Sequence, residues 1–214
     1  MRNAEAVQHL EQDLRSIFSG DLQTLVVYGG AQEGPVPTLA IVREVTSTEL
    51  RHCAERASLW HSRGLATPLI LRADEFERSL DAFPLEFGAI LASYELVSGA
   101  DALAGLSVDP ADLRRACEVQ ARSHLLHLRE GFMETEGRND YLASLIARSA
   151  PALAALLEHV RRLTGTAVAE PVLARVAELA PAGTISSDEA RSLFPEYLEA
   201  VNRLANTLDR WSAA

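Results

Sequence analysis

Leu25–Val42, LVVYGGAQEGPVPTLAIV, is the stretch on which the reading of this chain turns. Leu22–Tyr28 (LQTLVVY) is apolar, rich in residues that fit a pleated surface, and closed by Gly29 and Gly30, so a strand is expected there. The segment AQEGPVP breaks regular structure with Gly34, Pro35 and Pro37. Thr38–Val45 (TLAIVREV) is expected as a second strand, and the short connection makes the two hairpin neighbours. Paired glycines after a strand are in most cases a tight turn. They also let backbone amides come close to a phosphate, because no Cβ stands in the way.

Upstream, Val7, Leu10, Leu14 and Phe18 recur at helical spacing and Gly20 ends the pattern. Downstream, Ser47 is expected to cap a helix that carries Leu50, Cys53, Ala57 and Trp60 on one face and stops at Gly64. Pro68–Leu71 reads as a short buried strand, 74–82 as a short acidic helix, and Phe83–Leu91 (FPLEFGAIL) as a further strand. Ser98–Leu106 reads as a turn with a short helical piece.

The character changes at Asp109, a good N-cap, followed by Pro110, a good first helical residue. A long helix is expected to about Glu134, burying Leu113, Ala116, Val119 or Gln120, Leu126 and Met133. Further helices are expected over 139–164, bent near Pro151, over 170–180, and over 187–212, where Pro195 breaks or kinks the run. The expected fold class is α+β: a small mixed sheet with flanking helices over 1–108, then an all-α helical bundle over 109–214.

Of 214 residues, 48% are hydrophobic, enough to build a globular core, and the net charge of −10 disfavours general attraction to nucleic acid. All twenty basic residues are arginine. A P-loop lysine, a Schiff-base lysine and a lysine general base are therefore excluded. Cys53 and Cys117 are far apart and form neither a disulfide framework nor a zinc motif. The opening MRNAEAVQHLEQDL is polar and amphipathic, unlike a signal peptide, and no run approaches the ~20 uninterrupted apolar residues of a membrane span. A cytoplasmic protein is expected.

The order helix, strand, Gly-Gly, loop, strand, helix, strand resembles the nucleotidyltransferase superfamily, with the DNA polymerase beta-like fold. The runs TPLILRADEFERSLDAFPLEFGAI and LVSGADALAGLSVDPADLRR resemble uncharacterised bacterial members with a helical C-terminal part. The likeness covers roughly 20–135. It implies a pair of aspartates one residue apart on the second strand, which alternation would point to one face to hold Mg²⁺, and a third carboxylate on a later strand. Gly29 and Gly30 match the glycine motif, whereas Ala31 and Gln32 stand where the family has arginine or serine. The aspartate pair falls near Thr38 and Ala40, or one step away, and no acid lies between Glu33 and Glu44. Glu86 in FPLEF is the candidate remnant of the third carboxylate, or a carboxylate on an open strand face. The resemblance implies nucleotide-binding positions at Gly29, Gly30 and Thr38. One acid cannot do a two-metal task, so no metal site or cofactor is expected, with Mg²⁺ entering only if the chain is an active transferase.

Elsewhere Asp101 reads as a helix cap. His124 and His127 are spaced to share a metal, but without a third ligand they read as a solvated or partner-facing pair. Arg115, Arg122 and Arg129 recur at sevens, beside Arg114; they read as a solvated face paired with acids, against the rival of a groove for phosphate or RNA. Trp60 reads as core, and Tyr141, Phe194, Tyr197 and Trp211 as bundle packing. His52 and Cys53 point about 100° apart on a helix and make no nucleophile–base pair. Three functions compete. The first is an inactive nucleotidyltransferase-fold protein that binds a nucleotide or a protein. The second is an active transferase acting on a small molecule, nucleic acid or protein, with Glu86, Glu33 and Glu44 as its acids. The third is a helical interaction module that binds a partner or forms a homodimer. No membrane partner is expected.

Overall fold

The computed structural model describes residues 3–30, 34–180 and 183–212. They form two compact units, Met1–Val108 and Asp109–Ala214.

The first unit starts with α1 (Ala4–Phe18), whose Val7, Leu10, Leu14 and Phe18 are buried, as their spacing predicts. A 3-10 turn, Ser19–Asp21, leads into β1 (Leu22–Tyr28), which pairs antiparallel with β2 (Thr38–Val42). α2 (Ser47–Ser62) follows, capped by Thr46 rather than Ser47: Thr46 and Glu49 form a reciprocal capping box. Cys53 and Trp60 are buried on α2, while Leu50 is exposed. β3 (Leu69–Arg72) returns parallel to β2, and α3 (Ala73–Arg78) leaves from it. The sheet order is β3-β2-β1-β4, where β4 is Tyr94–Gly99.

Phe83–Leu91 is helix and not strand. All of it but Phe83, the N-cap, lies in α4 (Pro84–Ala92). An apolar run this short fits either element by pattern alone. Pro84 at the first helical position favours a helix, and Pro84, Phe87 and Ile90, three apart, turn inward together. The fourth strand comes later, as β4 (Tyr94–Gly99), antiparallel to β1, where a turn was expected from Ser98. Gly99, at φ 87°, makes that pairing fit: a Cβ there would stand 1.9 Å from the Gln23 carbonyl oxygen.

Helices cover both faces of the sheet. Leu25, Val27, Ala40 and Val42 pack with α1, Cys53 and Trp60; Val26, Leu39 and Ile41 pack with Phe76, Phe87, Ile90 and Leu103. All five β2 residues are buried. The buried Trp60 indole N–H donates to Asp13 at 2.9 Å, and Arg56 pairs with the same carboxylate.

The second unit is helical: α5 (Pro110–Glu134), α6 (Asn139–Thr164), α7 (Pro171–Ala177) and α8 (Ser187–Arg210). Asp109 caps α5 through the Ala111 N–H at 2.7 Å, and Ser186 caps α8. α6 and α8 continue through Pro151 and Pro195, both on exposed faces. α6 is long and apolar enough by composition to cross a membrane, but its Leu142, Ile146, Leu153, Leu156 and Val160 are buried within the unit.

α5 buries a different stripe from the expected one. Cys117, Ala121, His124, Leu125 and Leu128 face the core, whereas Val119, Leu126 and Met133 are exposed. The helix carries two apolar stripes, and only packing against α6 and α8 selects between them. Tyr141 is likewise exposed, with Arg138 stacked 3.5 Å from its ring centroid, while Phe194 and Tyr197 are core.

Candidate functional site

β1 runs into Gly29 and Gly30, at φ 78° and 57°, a backbone shape that side chains disfavour. Gly30 is exposed. A Cβ on it would lie 3.7 Å from the Ser93 hydroxyl, so a hydroxyl from the end of α4 stands beside the turn. Sequence reasoning missed Ser93, since nothing local marks a serine that neighbours a glycine 63 positions away in the chain.

Thr38 pairs with Val27 across the hairpin, and Ala40 with Leu25. Directly opposed residues in a sheet share a face. Thr38 and Ala40 therefore point toward α1 and α2, where both are fully buried. The hydroxyl of Thr38 has no hydrogen-bond partner. The two positions that alternation would align for a metal pair thus hold a methyl and a buried hydroxyl.

Among the described residues, the nearby acids do not converge on them. Glu86 lies on α4, whose Phe87 and Ile90 pack on the opposite sheet face with Leu39 and Ile41, and it is exposed. Its expected place on a strand face is thereby corrected. Glu44 is exposed beyond the end of β2. Glu33, with Ala31 and Gln32, lies outside the described residues. The acid on a later strand is Glu95 of β4, opposite Val27 and hence in one row with Val27 and Thr38. Two strand spacings, roughly 10 Å, separate it from Thr38. Sequence reasoning missed it because YELVSG was not recognised as a strand. Among the described residues no group of three or more His, Cys, Asp or Glu could hold a metal ion. Mg²⁺ as the resemblance implies it does not fit the residues at Thr38 and Ala40.

Other candidates resolve into structure. Asp101 accepts from the Leu103 N–H at 3.1 Å and from the Tyr94 hydroxyl, and that bond pushes the Tyr94 phenol up. Burial pushes the thiols of Cys53 and Cys117 up to about 11, which keeps them protonated and unreactive near neutrality. His124 is buried, not solvated. Its Nε2 lies 2.6 Å from the Tyr197 hydroxyl, which lies 3.0 Å from Ser149, and burial, then neighbouring His127, push the imidazole down to about 4. His127 is exposed, so the two histidines share no site. On the arginine face, Arg114 and Arg122 both bond Glu118, and Arg115 bonds Asp112.

No family model and no curated protein matches this chain. Among solved structures, it is similar to the spectinomycin adenyltransferase AAD(9) from Enterococcus faecialis, solved with ATP and spectinomycin. The identity is 13%, the TM-score 0.50, and the match covers 96% of this chain and 99% of that one. The likeness shows the fold: a nucleotidyltransferase-like arrangement of a mixed four-stranded sheet with flanking helices, followed by a helical part.

Proposed function

We propose that this chain is a nucleotidyltransferase-fold protein without transfer activity. It acts by binding, either a nucleotide at the Gly29–Gly30 turn or a protein through its helical unit. One observation carries the reading: Thr38 and Ala40, near which the resemblance implies the metal-binding pair, are fully buried, and no carboxylate lies between Glu33 and Glu44. A buried site without acids can neither hold a divalent cation nor activate a hydroxyl through one. The rival, an active enzyme built on Glu86, Glu33 and Glu44, has no comparable support, because Glu86 belongs to the helix on the far face of the sheet.

The adenyltransferase that shares the fold was solved with ATP and spectinomycin, so these make the first assay. With Mg²⁺, no adenylated product above a protein-free control is expected, nor with a panel of labelled nucleoside triphosphates and acceptors. Mg²⁺-dependent transfer to any acceptor overturns the proposal. For the nucleotide arm, calorimetry with ATP or GTP is expected to give the same affinity with and without Mg²⁺, and Gly30→Val to abolish it. Absence of heat with either nucleotide removes that arm and leaves the protein partner.

A further inference from the structure

The outward face of α5 carries an apolar stripe that the helical unit leaves uncovered. Val119, Leu126 and Met133 are 63%, 55% and 71% exposed and recur every seven residues. That spacing keeps them on one side of the helix, opposite buried Cys117, Ala121, His124 and Leu128. Their arrangement is not the scatter of single apolar residues that a surface tolerates. One flank of the stripe is arginine, at 115, 122 and 129. The other is Ala116, Ser123 and Glu130. Arg115 is engaged by Asp112, and Arg122 by Glu118 and Asp209. Arg129 makes no ion pair among the described residues, and Glu130 meets only exposed His127 on the same helix, at 3.4 Å.

We propose that α5 packs in parallel against α5 of a second copy of this chain through the Val119–Leu126–Met133 stripe. It gives the binding reading a partner, and it does not depend on the loss of transfer activity. Parallel pairing stacks each of the three residues on its own counterpart. By the same symmetry it sets the arginine flank of one helix against the Ser123–Glu130 flank of the other, so Arg129 meets Glu130 of the second copy twice. Antiparallel pairing about Leu126 brings the two arginine flanks together, with Arg122 near Arg129 of the second copy. The charge pattern therefore selects a second copy in the parallel sense.

Sedimentation velocity on the full chain, from about 10 to 300 µM protomer, tests this. The mass is expected to rise toward that of a dimer, Leu126→Glu to hold the chain monomeric with an unchanged circular dichroism spectrum, and Glu130→Arg to weaken association at least ~5-fold. Arg129→Glu combined with Glu130→Arg restores association. Under mild oxidation Met133→Cys is expected to link to itself across the pair, since Cys53 and Cys117 are buried. A monomer at every concentration overturns the proposal, as does a dimer that survives Leu126→Glu. So does a Met133→Cys chain that links only to Val119→Cys, the antiparallel outcome. Adenylation measured on the same Leu126→Glu chain separates a failure here from a failure of the transfer reading.

Discussion

In the first unit, the hydroxyl of Thr38 sits in the core with nothing to bond. In the second, three polar side chains from three helices, His124, Ser149 and Tyr197, meet in the core and bond one another. A hydroxyl left unpaired in a core costs stability, whereas a satisfied network costs little and fixes the register of the elements that carry it. These three groups thus set how α5, α6 and α8 meet, while Gln120 Oε1 on α5 is itself left without a partner. The sheet unit gains nothing from Thr38. Its hydroxyl stands where the resemblance implies an acid, on a strand that helices now seal on both faces.

Restoring an acid is the hardest test of that contrast. Ala40→Asp places a carboxylate among Leu25, Val42 and their neighbours with no partner, and is expected to cost about 3–5 kcal/mol in urea unfolding followed at Trp60. A tolerated aspartate would mean that the face is wet and the site open.

The next effect belongs to the helical unit and is driven by pH. His124 is held neutral when folded, with its pKa pushed down to about 4, while in the unfolded chain it titrates near 6.5, the ordinary value for histidine. Between these values the unfolded state binds more protons. The contribution is therefore full above about pH 6.5 and is lost as pH falls toward 4, by up to about 3 kcal/mol. Unfolding curves at pH 7 and 4.5, followed at Trp211 in a Trp60→Phe chain, should show the drop, and His124→Gln should flatten it. No slope in this window would place His124 in water.

Tyr197→Phe comes third. It strands His124 Nε2 in the core and removes one of Ser149's two partners, the Ile146 carbonyl remaining, so a loss of about 1–3 kcal/mol is expected in the same assay. The smallest effect has the opposite sign. Thr38→Val removes a hydroxyl that bonds nothing and is expected to leave stability unchanged or raise it by up to about 1 kcal/mol. Equal losses in Tyr197→Phe and Thr38→Val would erase the contrast between the two units.

Local pattern made much of the fold legible. α1, β1, the start of β2, α2 and the change of character at Asp109 follow from helical or alternating spacing and from Gly, Pro and cap residues, all of which act within a few positions. FPLEFGAIL was not legible, since nine apolar-rich residues fit strand or helix until Phe87 and Ile90 find Phe76 and Leu103 on the same face of the sheet. β4 needed its partner, because YELVSG becomes a strand only where Gly99 lets it close on Gln23. For the site, the Gly29–Gly30 turn and the missing acids stood in the sequence. Alternation put Thr38 and Ala40 on one face, but could not tell which helices would cover it.

What the sequence determined by itself is therefore local and compositional: helices and strands where the period is strong, an arginine-only basic set, and no carboxylate from Thr38 to Val42. Tertiary structure alone decided which face each pattern turns inward. It sealed β2 on both sides, placed Glu86 away from Thr38, brought His124 to Tyr197 across 73 positions, and left Val119, Leu126 and Met133 outside. The reason is physical: periodicity states that residues share a face, but burial is set by what packs against that face, and those partners are distant in the chain.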